Sequence, residues 1–213
     1  VDKHNNLLIL ILTTGVFGII NTEMGVIGVL PLIAEQFAVS ISQAGLLVSL
    51  FALIVAIAGP TMPLLFSGIN RKTVMLLVLG IFILGNIVSI FASNFTVLLI
   101  ARVVPALFHP IYCSLAFTVA AASVSKKEAP IAVSKLFIGV SAGMVLGVPI
   151  SSFIASTTSL GMAMLFFAVV NAIPFIATLL FVPSMPVKER LSYGAQLMVL
   201  KKSRSNTRHS ESV

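Results

Sequence analysis

Long apolar runs recur six times along this chain, near Leu7–Leu30, Gln43–Phe66, Thr73–Ala92, Thr96–Ala121, Ile131–Ala155 and Gly161–Val182. Each matches the roughly 20 residues that a helix needs to cross a bilayer core. No period-two alternation competes with them. Backbone polar groups in lipid must be satisfied within the segment, so runs of this length are helices. The pattern predicts an all-α, polytopic membrane protein with one six-helix transmembrane domain over residues 7–182. The first run is too long, and too polar in its middle, for a cleaved signal peptide. After Pro186 the pattern stops. Residues 183–213 read as a basic, disordered tail with too little apolar material for another span.

Composition adds weight to this reading. Hydrophobic residues make up 58% of the chain and charged residues 9%, against roughly 25% charged in a soluble domain. The single cysteine, Cys113, rules out a disulfide within the chain and reads as a small apolar filler in the fourth run. No metal site and no cofactor are expected.

The 13 Lys and Arg residues exceed the 6 acids, giving a net charge of +7. Their placement decides what this excess means. The connections at Glu35–Ser42, Ser93–Asn94 and Ser156–Leu160 carry no basic residue. Arg71, Lys72, Lys126, Lys127, Lys135, Lys188, Arg190 and the Lys and Arg residues of the tail lie on the opposite side. The positive-inside rule makes that side cytoplasmic, with both termini on it. The charge is therefore a topology signal in a cell membrane, the bacterial cytoplasmic membrane, and not a nucleic-acid site.

Two full charges lie well inside the runs. Glu23 sits in the first, among aliphatic residues and glycines, where an unpaired carboxylate costs several kcal/mol. If the first helix ends near Pro31, Glu23 is ~12 Å below that end, and Arg102 is ~9 Å below the entry of the fourth helix at Thr96. At similar depth the two are expected to pair, the alternative being that Arg102 snorkels to the interface. An acid held between burial and a cation can change protonation as its cavity opens to either side. Glu23 and Arg102 are therefore the candidate proton-coupling residues.

Weaker candidates surround them. His109, seven residues after Arg102, is either a proton relay or substrate contact, or a structural histidine. Asn21, Asn86 and Asn171 either line a pathway or bond between helices. Gly139, Gly143 and Gly147, followed by Pro149, form a small-residue stripe suited to close helix packing. Gly139-Val140-Ser141-Ala142-Gly143 also matches the nucleophile pattern of serine hydrolases, which needs a strand-to-helix turn and here falls in a helix. Helix-disturbing residues sit in the first helix (Gly25, Gly28, Pro31) and the fourth (Pro105, Pro110), at corresponding places in two three-helix repeats.

Several stretches carry a family likeness. They are Glu23 through Ala34 with its embedded acid, Ala44 through Ser49 and on to Gly59-Pro60, Ala101-Arg102-Val103-Val104, and Gly139 through Pro149. In order and spacing the chain resembles the N-terminal half of a major facilitator superfamily transporter, in the drug–proton antiporter branch with twelve helices. The resemblance extends roughly from Leu7 to Lys202. It implies alternating-access efflux of a small organic compound (drug, sugar or nucleoside class) in exchange for protons, with Glu23 as the titrating acid and Arg102 as its partner. It also implies that Gly68, Arg71 and Lys72 form a conformational loop. Ser67 stands where that loop usually has an acid, and Asn70 replaces a usual glycine. The partners implied are the substrate, protons, the bilayer, and either a missing C-terminal half or a second copy. The alternatives are a non-transporting half acting as a membrane interaction protein and, more remotely, an intramembrane serine hydrolase.

Overall fold

The computed structural model describes residues 3–187, so the tail expected over 183–213 lies largely outside the described residues. Nine α-helices and one 3-10 turn make up the bundle, and no strand occurs among the described residues. In chain order they are α1 (Lys3–Gly25), the 3-10 turn Val26–Val29, α2 (Leu30–Gln36), α3 (Ile41–Ala44), α4 (Leu46–Ala58), α5 (Met62–Leu65), α6 (Arg71–Ile90), α7 (Phe95–Ala122), α8 (Ala129–Thr157) and α9 (Leu160–Phe181). Six helical stretches are long and apolar enough to span a membrane.

The last four spans agree with the sequence boundaries to within about two residues. The first two do not. The first span runs on through the 3-10 turn and α2 to Gln36. Pro31 lies in the opening turn of α2, where a missing N–H costs nothing, so it restarts the helix instead of ending it. The second run is broken into α3, α4 and α5 by Gly45 and the Gly59–Thr61 turn.

Helix starts follow local chemistry. Ser40 and Gln43 form a reciprocal capping box at α3. Asn70, Asn94 and Ser159 cap α6, α7 and α9 through bonds from the backbone N–H of Lys72, Val97 and Met162 at 3.0–3.2 Å.

The glycine stripe of α8 faces α1. A Cβ at Gly139 would lie 2.5 Å from Thr13 O, and one at Gly143 would lie 3.0 Å from Phe17 O. One at Gly147 would lie 3.1 Å from Asn21 O. Only a bare backbone allows that approach. Pro149 is one turn beyond, exposed inside α8.

Buried apolar side chains fall into two clusters. One, toward the basic end of the bundle, includes Leu12, Val16, Ile19, Met75, Leu79 and Phe82. The other, toward the opposite end, includes Val29, Ile33, Leu47, Leu98, Met164 and Phe167. On α1 the first cluster ends at Ile20 and the second begins at Val26. Asn21, Thr22 and Glu23 occupy that gap, level with Asn86, Arg102 and Asn171 on the other helices. A polar layer thus separates two apolar halves.

At the basic end, the loop before α6 grips the chain beyond α9. Asn70 Nδ2 donates to Ser184 Oγ at 2.6 Å, and Asn70 Oδ1 accepts from Met185 N at 3.3 Å. Arg71 N donates to Met185 O at 3.2 Å, and Lys72 Nζ to Leu179 O at 2.9 Å. Asn70, which departs from the expected glycine, is the centre of this clamp. Gly68 lies at the bend preceding it.

Candidate functional site

The break after Gly25 creates the site. A helix leaves its last four carbonyls without intrahelical partners, and α1 stops at Gly25 in mid-bundle. Two of those carbonyls are taken by side chains from other helices. Arg102 Nη2, from α7, donates to Thr22 O at 2.6 Å. Ser151 Oγ, from α8, donates to Gly25 O at 2.6 Å. A guanidinium at a helix C-terminus also meets the negative end of the helix dipole.

Arg102 is 3% exposed. Its Nη1 donates to Asn86 Oδ1 at 3.3 Å, and its guanidinium carbon lies 5.8 Å from the centre of the Phe167 ring. Asn86 Nδ2 donates back to Phe82 O within α6. Phe51, Phe82, Ala101 and Pro105 complete the crevice around the guanidinium. The side chain is thus held inside the bundle and does not snorkel.

Glu23 pairs with His109, not with Arg102. His109 Nε2 lies 3.1 Å from Glu23 Oε2, with side-chain exposures of 10% and 19%. The expected direct Glu23–Arg102 pair is corrected here, and the reason is depth. Because the first span reaches Gln36, Glu23 lies roughly 20 Å below its end, and His109 lies roughly 20 Å below the start of α7. Arg102, near 10 Å on the same scale, reaches only the neighbouring carbonyl. Phe51 meets the His109 ring edge-on, 5.8 Å between centroids and 81° between planes.

The three asparagines differ. Asn171 Nδ2, from α9, donates to Thr22 Oγ1 at 2.7 Å and Phe167 O at 2.8 Å, and lies 3.3 Å from Gly18 O. Thr22 Oγ1 in turn donates to Gly18 O. Asn86 serves Arg102. Asn21 is fully buried, and its amide has no partner among the described residues. Thr22 and Ser151 are members of the site that sequence reasoning missed. Both are ordinary residues in membrane helices, and what makes them matter is the helix end they serve.

Ser141 lies on the exposed face of α8, within an unbroken helix. His109 is buried against Glu23 on α7. The two face apart, and the turn that a hydrolase nucleophile needs is replaced by helix. Among the described residues no cluster of ligating side chains could hold a metal.

Residues 11–207 match the family described as Major Facilitator Superfamily. The uncharacterized transporter YtbD of that family type from Bacillus subtilis is 37% identical over 183 residues, covering 86% of this chain and 46% of its own length. The inner membrane transport protein YdhP of Escherichia coli is 32% identical over 195 residues, covering 92% and 50%. A bacterial homolog of the human lysosomal transporter Spinster, solved inward-facing and unoccupied, superposes with a TM-score of 0.71 at 21% identity, covering 89% of this chain and 45% of that one. The chain spans about half the length of the curated relatives it matches. With six membrane helices, this fold and these relatives, the chain belongs to the major facilitator superfamily, a family of transporters and not of enzymes.

Proposed function

We propose that this chain is one six-helix half of a proton-coupled exporter of a small organic compound, working by alternating access across the bacterial cytoplasmic membrane. The observation that carries the proposal is the Glu23–His109 pair, 3.1 Å apart in the polar layer. A carboxylate and an imidazole at that distance share one proton comfortably. A second proton breaks the pair, since it leaves a neutral acid beside an imidazolium. Arg102 stands next to them at the end of α1 and opposes further positive charge. The pair thus moves between two states that differ by one proton, which is the elementary act of coupling.

In the cycle we infer, Glu23 gives up its proton toward the basic, cytoplasmic side as substrate binds. It regains one from outside after substrate leaves. Arg102 holds the α1 break in place throughout, and Asn21, Asn86 and Asn171 set the polar layer around it. The loop at Gly68, Arg71 and Lys72 steadies one conformation, and the Gly139–Gly147 stripe and Pro149 let α8 shift against α1. Export as the direction, and a drug, sugar or nucleoside as the cargo, rest on the motif resemblance. The second wall of the pathway comes from a C-terminal half or another copy.

The test is flux in proteoliposomes carrying a pH gradient, with the intact chain and its Glu23→Gln variant. Gradient-driven flux in the first and its loss in the second are expected. Full gradient-driven flux in Glu23→Gln would falsify the coupling role. If the intact chain is inert in vesicles and monomeric by native mass, the reading becomes that of a membrane interaction protein.

A further inference from the structure

Three polar groups that the proton pair does not use converge on one notch of α1. Gly15 and Gly18 are three residues apart on one face, roughly 4.5 Å along the axis. A Cβ at Gly15 would collide with Tyr112 Oη of α7, and one at Gly18 would lie 3.2 Å from Asn171 Oδ1 and 3.0 Å from Val170 O of α9. Tyr112 and Asn171 are both 0% exposed. Tyr112 Oη and Asn171 Oδ1 have no partner among the described residues.

Their polarities are complementary. Asn171 Nδ2 is committed to Thr22 Oγ1 and Phe167 O, so Oδ1 faces the notch as an acceptor. The Tyr112 hydroxyl is a donor without an acceptor. Val170 O lacks its usual donor because the residue four positions on is Pro174, which has no N–H. One donor and two acceptors, all buried around a space kept open by two glycines, match the two to four polar partners that an internal water takes.

We propose that the Gly15–Gly18 notch binds one ordered water, accepting from Tyr112 Oη and donating to Asn171 Oδ1 and Val170 O. Tyr112 is thereby a positioning residue. Through the water it fixes the Asn171 amide, which holds Thr22 Oγ1 one residue before Glu23. The water site stands on geometry alone, whereas the positioning role rests on the proton-coupling reading above.

The site is tested on the full chain in detergent by thermal unfolding of Tyr112→Phe, Asn171→Ala and the double variant. Removing an unsatisfied hydroxyl would leave stability unchanged or raised. Removing one that holds a water lowers the midpoint by about 2–4 °C, and most of that loss disappears in the Asn171→Ala background. An unchanged or raised midpoint in Tyr112→Phe, or strictly additive shifts, overturns the water site. The positioning role is read from the infrared carboxyl band of Glu23, assigned with Glu23→Gln. Its titration midpoint is expected to move in Tyr112→Phe. A band that titrates in both proteins at the same pH overturns positioning while leaving coupling intact. A coupling failure shows separately, as gradient-driven flux surviving in Glu23→Gln.

Discussion

At the scale of single residues, the site turns on which partner each buried charge finds. Glu23 has His109, and Arg102 has a main-chain carbonyl and an amide. The two roles separate by substitution. His109→Asn keeps a polar group of similar size but removes the titrating ring, so the chain should fold and unfold as before, while gradient-driven flux loses its pH dependence between about pH 5 and 8. Arg102→Met removes the donor from Thr22 O and from Asn86. It should destabilise the bundle by about 3 kcal/mol in thermal or denaturant unfolding, whether or not transport is measured. The sequence pointed to both charges through their cost in lipid. It did not point to their partners, because Glu23 was measured from Pro31, whereas its span runs to Gln36. Thr22 and Ser151 left no trace in composition or spacing. Their importance arises only where a helix stops inside the protein.

At the scale of elements, the broken first span and the glycine seam set the geometry. Ser151→Ala should release Gly25 O and cost about 1 kcal/mol, seen as faster amide exchange over residues 26–29. Gly143→Leu should be far worse, because its side chain would have to enter the backbone of α1 near Phe17 and Ile20. Loss of the folded, detergent-soluble protein is the expected readout. The turn after α2 offers the opposite sign. Ala38 is exposed and has a φ of 51°, the left-handed conformation that suits glycine at a helix end. Ala38→Gly should raise stability by about 1 kcal/mol, because Ala in that region costs 1–2 kcal/mol and packs against nothing. Hydrophobic runs were enough to find six spans, since lipid allows little else. The runs could not show the internal breaks at Gly25, Gly45 and Gly59, because glycine is common in membrane helices whether or not they break.

At the scale of the whole molecule, the chain is one bundle whose relatives are about twice as long. A working pathway would need a second bundle against this one. If a second copy supplies it, native mass in mild detergent should give a dimer, and a monomer at all concentrations would remove that option. The basic end has its own fastening. Asn70→Ala deletes the side chain that binds Ser184 and Met185, so protease cutting just after α9 should speed up several-fold with little change in the spans. The resemblance to the transporter loop drew attention to Gly68, Arg71 and Lys72. The residue that departs from that pattern, Asn70, makes most of the bonds.

Arg102 recognises the oxygen of Thr22's peptide group, and every amino acid carries that oxygen. The contact is therefore addressed to a place in the chain and not to a side chain. Position 22 can change identity without breaking it, and such a change would be felt at Asn171 alone. Position 102 has no such freedom. A comparison of sequences would show an arginine that never varies facing a partner that drifts, and pairwise covariation would miss one of the shortest hydrogen bonds in the site.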